Sequence, residues 1–340
     1  MELAEGRLLA HTGCVSRRVK VVILSDVHYA GPAEQARGWT ETAVISNPLL
    51  KLAAWSYRYY FWRRDPFAHN HLLDRFLQQA PRAEAVVANG DYSCDTAFVG
   101  LCDDPSHESA SLCVGRLREA YGPQMHLTIG DHELGKMSLF GQRGGLRLAS
   151  WRRTVEDLGL SPFWSFELGA NVLVGVTSSL LALPVYAPEV LSAEAAEWNR
   201  LRDAHRVRVS ELFSNLGRKQ RVVLFCHDPS ALPFLFEDPA VRSRLGQISA
   251  TVLGHLHSPF LLNCGRRLTG MPAVNFLGNA VRRMSVALRK SQVWDEFKIR
   301  LCPALAGIEL YKDGGYYEME LDPEGICAPE FVFHPLPWGM

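Results

Sequence analysis

A carboxylate and an imidazole stand side by side at the end of a short apolar run in residues 127–133. Residues 127–129 are Leu, Thr and Ile, which is typical of a strand, and Gly130 ends that strand with a turn. Asp131 and His132 follow, and the carboxyl end of a strand is where open α/β sheets bind ligands. The two side chains could be a metal ligand and a proton donor. The alternative is an ordinary turn, in which the aspartate only bonds to the backbone.

Four other apolar runs end in the same kinds of side chain. These runs, 21–24, 85–88, 222–226 and 250–253, are continuously apolar, as expected of strands covered on both faces. The aspartates and histidines that follow them are Asp26, His28, Asp91, His227, His255 and His257. Because the carboxyl ends of parallel strands meet at one edge of a sheet, we expect all five strand ends to form one site.

The order of these motifs resembles that of the calcineurin-like metallophosphoesterases. The motifs are Asp-x-His, Gly-Asp, Gly-Asn-His-Glu, a single His and Gly-His-x-His, and they extend from about residue 20 to residue 258. The chain departs at Asp131, where the family usually has Asn. The resemblance implies an α/β fold, a four-layer α/β/β/α sandwich of two mixed sheets. We expect one domain over 1–340 with its catalytic blocks at 19–258.

The resemblance also implies a centre with two divalent metal ions. The expected ligands are Asp26, His28 and His257 for one ion, Asp131, His227 and His255 for the other, and Asp91 as the bridge. Two ions roughly 3.5 to 4 Å apart can clamp both oxygens of an in-line phosphoryl transfer. His132 would protonate the leaving group, and Glu133 would orient its ring. The mixed ligands suit Mn, Fe, Zn or Mg, and we expect Mn first.

The aspartate at position 131 changes the charge of this centre. Two doubly charged ions against the three carboxylates Asp26, Asp91 and Asp131 leave one formal positive charge, whereas an asparagine at 131 would leave two. We therefore expect the site to bind metal more tightly and to polarise a phosphate less.

Composition excludes several classes of protein. The 340 residues include 36 Lys and Arg and 36 Asp and Glu, so no net charge favours a polyanion and we expect no dedicated nucleic-acid binding. The eight cysteines lack a Cys-x-x-Cys motif and look like reduced thiols. We see no secretory signal and no apolar run of about 18 residues. We expect a cytoplasmic protein, soluble or peripheral on the inner membrane surface.

An insertion at about 40–65 follows the first metal block. Asn47 is a suitable N-cap for a helix over 48–64, a segment that is aromatic and carries only positive charges. One interpretation is a helix that packs on the domain with its cations reaching solvent. The other is an interfacial helix in which Lys51 and Arg58 form a polar stripe flanked by tryptophans, for peripheral membrane contact.

A loop rich in glycine and arginine lies at 141–147, just past the expected catalytic turn. Arg143 and Arg147 in it could hold a phosphate or pyrophosphate, and the loop could equally be a surface turn. His69 and His71 stand on a predicted helix rather than at a strand end, so we expect them to be ordinary helix residues.

The remaining elements follow from periodicity and turn signals. We expect helices at 66–79, 109–121, 151–158 and 192–216, a strand at 171–177, and a C-terminal β extension at about 298–321. In that extension 312–315 would be a hairpin turn, and the last dozen residues of the chain would be a tail.

The expected function is hydrolysis of a phosphoester or pyrophosphate bond. The aromatic, basic insertion favours a lipid-linked or nucleotide-diphosphate substrate at a membrane surface, similar to that of the UDP-diacylglucosamine pyrophosphatases of lipid A synthesis. The metal motifs themselves are common to the whole superfamily. The alternatives are a phosphoprotein phosphatase, a general phosphodiesterase, and a non-catalytic scaffold of the same fold, which would be expected to lack His132.

Overall fold

The computed structural model describes residues 17–38, 42, 45–138, 143–274 and 279–339. Its strands are β1 Val19–Leu24, β2 Ala85–Ala88, β3 Met125–Leu127, β4 Phe163–Leu168, β5 Asn171–Val176, β6 Arg221–Cys226, β7 Ile248–Leu253, β8 Ile299–Leu301, β9 Gly315–Leu321 and β10 Glu330–Pro335. They form two five-stranded sheets with the orders β10-β9-β1-β2-β3 and β4-β5-β6-β7-β8. Each sheet contains both parallel and antiparallel pairs.

The two sheets face each other across an apolar layer. Val21 and Ile23 of β1 belong to one buried cluster with Val223 and Phe225 of β6. Leu24 of β1 belongs to a second cluster, which contains the buried faces of the helices. Because side chains alternate across a strand, β1 is covered on both faces, which explains its continuous apolar run. The four-layer α/β/β/α sandwich expected from the sequence is confirmed.

Helices cover the outer faces of both sheets. They are α1 Pro32–Arg37, α2 Pro48–Tyr60, α3 Asn70–Gln79, α4 Asp104–Tyr121, α5 Asp131–Leu134, α6 Leu148–Arg152, α7 Ser178–Leu181, α8 Leu183–Tyr186, α9 Ala195–Asn215, α10 Leu232–Glu237, α11 Pro239–Ser243, α12 Pro259–Arg267 and α13 Asn279–Arg289. None of the helices in the described ranges combines the length and apolar character needed to cross a bilayer.

The helix of the insertion begins where the sequence predicts. The Asn47 side chain accepts hydrogen bonds from the backbone N–H groups of Leu49 and Leu50, at 2.9 and 3.1 Å, and Pro48 occupies the first helical position. This N-cap satisfies donors that have no partner within the helix. Its geometry confirms the predicted start of α2.

Other predicted helices exist with different ends. The helix expected at 66–79 begins only at Asn70, and the one expected from residue 109 begins at Asp104 because Asp103 caps it through the N–H of Ser106. The helix expected at 151–158 is α6 followed by a wider helical turn over 153–157. The long helix expected at 192–216 is α9, and the strand expected at 171–177 is β5.

The C-terminal extension differs from the prediction. The hairpin expected at 312–315 does not form, because β8 pairs with β7 in one sheet while β9 pairs with β1 in the other. The last dozen residues are not a tail, since the whole of β10 lies within them and pairs antiparallel with β9. Beyond β10, Arg75 donates to the carbonyl oxygens of Pro337 and Gly339. The extension therefore completes the first sheet.

Candidate metal centre

The structure brings all seven expected metal ligands together at the carboxyl ends of the strands. They form two groups, Asp26, His28, Asp91 and His257 in one and Asp91, Asp131, His227 and His255 in the other. Within each group the potential ligand atoms all lie within 4.8 Å of one another. Asp91 belongs to both groups, which is the arrangement expected of a bridging carboxylate.

The backbone turns sharply where it delivers these side chains. Asp26, His28, Asp91, His255 and His257 all have positive φ angles, between 48° and 61°. This left-handed conformation costs a residue with a side chain roughly 1–2 kcal/mol. Five such residues at one place indicate strain that the surrounding structure maintains for a function.

Glycines allow the strand ends to approach each other closely. A Cβ atom on Gly90, whose φ is +93°, would lie 2.8 Å from the backbone of Gly130 and from Nδ1 of His227. A Cβ atom on Gly254 would lie 2.2 Å from Oγ of Ser25. Both distances are shorter than van der Waals contact, so these positions require glycine for the ligands to converge.

Two carboxylate oxygens in the site lack a hydrogen-bond donor. Oδ2 of Asp91 and Oδ2 of Asp131 are buried without a hydrogen-bond partner. Leaving a buried charged oxygen unsatisfied is costly. A divalent cation in each group would satisfy these oxygens, and the mixture of carboxylate and imidazole donors suits such ions. The residues present therefore fit a centre with two metal ions.

Backbone carbonyls orient the imidazole rings. Nδ1 of His28 lies 3.3 Å from the carbonyl oxygen of Ser93, and Nδ1 of His227 lies 2.5 Å from that of Asn89. Since a carbonyl oxygen can only accept, each Nδ1 carries the hydrogen. The Nε2 atoms of both rings are thereby left to bind a cation.

The buried carboxylates and histidines of the site shift each other's pKa values. Burial opposes ionisation of Asp26, but His227 and His257 hold the pKa of Asp26 well below its usual range. Burial likewise opposes a charge on His227, yet the carboxylates of Asp91 and Asp26 raise its pKa well above the usual value. A histidine must be neutral to bind a metal ion, so binding at this site displaces protons.

His132 lies against the metal ligands at the cavity surface. Its Nδ1 donates to the carbonyl oxygen of Ser93 at 2.9 Å, and its Nε2 contacts the amino group of Lys136 and lies 3.6 Å from Oδ2 of Asp91. Burial holds the pKa of His132 well below the usual value against the attraction of Asp91. With Nδ1 held by a carbonyl, Nε2 is the atom through which this ring can exchange a proton.

Glu133 does not orient the His132 ring, contrary to the sequence-based expectation. Its carboxylate accepts hydrogen bonds from the backbone N–H groups of Gly130, Asp91 and Tyr92, at 2.8, 3.1 and 2.8 Å. These donors lie beside it because the strand ends that carry Asp91 and Asp131 adjoin. Burial and the charge of Asp91 raise the pKa of Glu133 to about 8. Glu133 therefore ties the two ligand-bearing turns together.

The predicted phosphate-binding arginines lie outside the cavity lining. Arg143 is exposed, and Arg147 donates to the carbonyl oxygens of Gly144 and Leu146 in its own loop. Residues 141–142 of that loop are outside the described part of the chain. A role for Arg143 and Arg147 in substrate binding stays a prediction.

His69, His71 and Asp95 make contacts that support the fold. The His69 ring packs on Trp338, and His71 Nε2 lies 3.2 Å from the Trp338 carbonyl oxygen, so neither reaches the metal ligands. Asp95, also buried, accepts from the N–H groups of Val99 and Gly100 and shapes the loop that follows Asp91.

A cavity of about 480 Å³ opens over the two ligand groups. Its polar lining includes His28, His132, His255 and His257, and its cations are Arg58, Arg63, Lys136 and Arg283. Arg58, which was expected in a polar surface stripe, and Arg63 are both buried and face this cavity. Their contribution to the site was missed because nothing local in the sequence says which face of α2, or which side of the turn after it, points inward.

Most of the remaining lining of the cavity is apolar, apart from Ser138, Asp228 and Ser230. It comes mainly from the C-terminal half of α2 and from α12, α13 and the turn that follows them, and includes Trp62, Leu261, Leu268, Ala287, Leu288 and Trp294. The cavity therefore joins a charged floor to an apolar wall. Helices α12 and α13 were not predicted from the sequence.

Individual proteins of known sequence or structure resemble this chain only weakly. Its match to curated protein sequences is not significant for any of them. Among solved structures it is weakly similar to a phosphopantetheinyl hydrolase from Mycobacterium tuberculosis, with 14% identity over 71% of this chain and 83% of that one and a TM-score of 0.34. A purple acid phosphatase from yellow lupin gives 11% identity over 72% of this chain and 38% of that one, with a TM-score of 0.36.

The sequence model of one family matches more than half of the chain. It is described as calcineurin-like phosphoesterase, and the match covers residues 19–259. That range contains both ligand groups and His132. The chain belongs to the calcineurin-like phosphoesterase family.

Proposed function

We propose that this chain, a metal-dependent phosphoesterase, uses two divalent ions to hydrolyse a phosphoester or pyrophosphate bond in a lipid-linked substrate at a membrane surface. The observation that carries this proposal is that the metal-ligand groups and an apolar wall line the same cavity. A phosphoryl group fits the charged floor, and a hydrocarbon chain fits the wall.

The chemistry divides between the ions and the chain. The two ligand groups would hold two divalent ions, which would supply polarisation of the phosphoryl oxygens and activation of the attacking water. His132 lies beside both groups with Nε2 toward the cavity and toward the amino group of Lys136, and the ring, once it has taken up a proton, would donate it to the departing oxygen. The Ser93 carbonyl oxygen holds the ring in place by accepting from Nδ1 at 2.9 Å.

The apolar wall supports a substrate with a hydrocarbon tail. Leu261 lies on α12, Leu268 follows that helix, and Leu288 lies on α13, and all three line the cavity. Moving a methylene group from water to such a surface contributes about 0.8 kcal/mol. Water-soluble phosphoesters would leave this surface unused. A nucleoside-diphosphate-linked lipid is one substrate that would occupy both the floor and the wall.

Peripheral membrane contact through residues 48–64 is supported by the outer face of α2. Leu49 and Tyr60 are 77% and 64% exposed, and Leu52 and Trp55 lie exposed between them. Helix α2 contains no acidic residue, and Lys51 is exposed on it. Exposed leucine and aromatic side chains with a cation are typical of a helix that lies in a membrane interface.

The apolar surface continues from α2 to the neighbouring elements. The rings of Phe61 and Phe260 are 6.0 Å apart, and those of Phe260 and Tyr311 are 5.4 Å apart. Phe260 and Tyr311 are themselves partly exposed. Because Trp62 and Leu261, next to these aromatics, line the cavity, the surface adjoins the site into which a lipid tail would enter.

We predict that His132→Ala lowers turnover on the order of a hundredfold or more for a substrate with a poor leaving group, such as an alkyl phosphate. The loss on a nitrophenyl ester should be much smaller, because a good leaving group needs little protonation. Steady-state kinetics with Mn on both substrates measures the contrast, with His107→Ala on α4 as the control. Equal losses on the two substrates would show that His132 is not the acid.

A second prediction concerns the apolar wall. For a series of lipid phosphates below their micelle concentrations, kcat/KM should rise about fourfold for each methylene that contacts the wall, which corresponds to about 0.8 kcal/mol. Leu268→Glu should flatten this series, while Leu191→Glu, at an exposed leucine outside the cavity lining, should not. A wild-type series with no dependence on tail length would contradict the lipid proposal.

A third prediction concerns the outer face of α2. Sedimentation with anionic vesicles at low salt should be strong for the wild type and weaker by more than tenfold after Leu52→Ser and Trp55→Ser together, because the buried apolar area is lost. Lys51→Gln alone should weaken binding about fivefold, for roughly 1 kcal/mol per cation.

The matched control is Val207→Ser, at an exposed apolar position on α9. Hydrolysis of water-soluble nitrophenyl esters should be the same for all of these variants. Failure of the wild type to sediment with vesicles even at low salt would exclude membrane contact through α2.

A further inference from the structure

Arg63 differs in its partners from Lys136 and Arg283, two other cations of the cavity. Lys136 lies 3.8 Å from a carboxylate oxygen of Asp131, and Arg283 lies 3.0 Å from that of Glu189. Arg63 is only 3% exposed, and within the described ranges no acidic side chain lies at ion-pair distance from it. Its Nε atom is buried without a hydrogen-bond partner. A buried cation left in this condition is costly unless a ligand completes it.

Among the described residues, the Arg63 guanidinium makes one hydrogen bond, and its partner is a metal ligand. Nη2 of Arg63 lies 2.9 Å from Nδ1 of His257, whose Nε2 is 3.3 Å from Oδ1 of Asp26. A neutral histidine that binds an ion through Nε2 carries its hydrogen on Nδ1. Nδ1 of His257 then no longer accepts from Arg63. With metal in the site, the guanidinium faces the cavity with donors on both Nε and Nη2 to satisfy.

The segment that carries Arg63 is fixed in place. The carbonyl oxygens of Phe61 and Trp62 accept from the backbone N–H groups of Leu310 and Glu309, at 3.2 and 2.7 Å. The Trp62 ring stacks on the ring of His257, with centroids 4.5 Å apart. The backbone next to Arg63 is therefore fixed, and it holds Arg63 beside one ligand group. Such positioning is what a binding residue needs.

Formal charges connect Arg63 with the aspartate at position 131. Two divalent ions with Asp26, Asp91 and Asp131 leave one positive charge, as counted from the sequence. Arg63 adds a second positive charge at the edge of the same cavity. Over the two ions, the three ligand carboxylates and Arg63, the sum is two, the charge that an asparagine at 131 would give without the arginine. The charges of Arg58, Lys136, Arg283 and Asp228, which also line the cavity, are the same in both counts. The sum also matches a phosphoryl group with two negative charges better than a phosphodiester with one.

We infer that Arg63 binds oxygens of the substrate's phosphoryl group and selects dianionic phosphoryl groups, the terminal phosphate of a monoester or a diphosphate, over monoanionic diesters. A guanidinium donates two parallel hydrogen bonds to phosphate oxygens. Arg63 thereby restores the positive charge that Asp131 removes from the metal centre. This inference rests on the phosphoesterase function proposed above and is independent of whether the substrate is a lipid.

The test is binding of inorganic phosphate to the Mn-loaded protein by titration calorimetry, with dimethyl phosphate as the monoanionic probe. Arg63→Met should weaken phosphate binding on the order of tenfold to a hundredfold, the loss of charged hydrogen bonds. Its effect on dimethyl phosphate should be about threefold or less. Arg63→Lys should be intermediate, because it keeps the charge and loses the paired donors. Arg64→Met is the matched control, since the Arg64 side chain is 54% exposed.

Metal content by mass spectrometry and the thermal unfolding midpoint are measured for each variant. Two bound ions and a wild-type midpoint in Arg63→Met, with weaker phosphate binding, support the inference. Wild-type phosphate affinity in Arg63→Met would overturn it. Loss of metal ions from both Arg63→Met and Arg63→Lys would also overturn it, because Arg63 would then only support His257. Because calorimetry with phosphate needs neither lipid nor turnover, failure of the lipid proposal would leave this result unchanged.

Discussion

Three carboxylates without access to solvent, Asp26, Asp91 and Asp131, meet at the carboxyl ends of the strands of the two sheets. Like charges this close in a medium of low polarity need cations beside them. Against its burial, the carboxylates raise the pKa of His227 well above its usual value. Two divalent ions would balance the carboxylates and would also satisfy the unpaired oxygens of Asp91 and Asp131. The left-handed backbone at the strand ends is maintained by the same convergence.

The strand ends and their ligands could be predicted from the sequence because both signals are local. A continuous apolar run followed by Asp or His identifies a buried strand and its functional end. The resemblance to the calcineurin-like family then placed Asp26 and His257 in one group, although they are far apart in the chain. Contacts between elements that are far apart in the sequence leave no such local signal, so they could not be predicted. The outer strands β9 and β10, the inward turn of Arg63 and the backbone partners of Glu133 all depend on which elements come to lie side by side.

The same cavity connects the chemistry with the selection of a substrate. His132 and the ligand groups lie on its floor, whereas α12 and α13 form an apolar wall. The metal-binding motifs of the sequence do not predict this wall. The two faces of the insertion at 40–65 have different surroundings. Its inner face carries Arg63 toward the metal ligands, while its outer face leaves Leu49, Trp55 and Tyr60 exposed. Charge at the floor and apolar surface at the wall and rim together define the proposed lipid-linked phosphate.

The number of ions bound per chain tests the central claim most directly. Native mass spectrometry of metal-free protein titrated with Mn should show two bound ions for the wild type and no more than one for Asp91→Asn, because Asp91 belongs to both ligand groups. Asp203→Asn, at an exposed position on α9, should bind two. A wild-type protein that binds no more than one ion in excess Mn, or an Asp91→Asn variant that still binds two with full affinity, would contradict a centre bridged by Asp91.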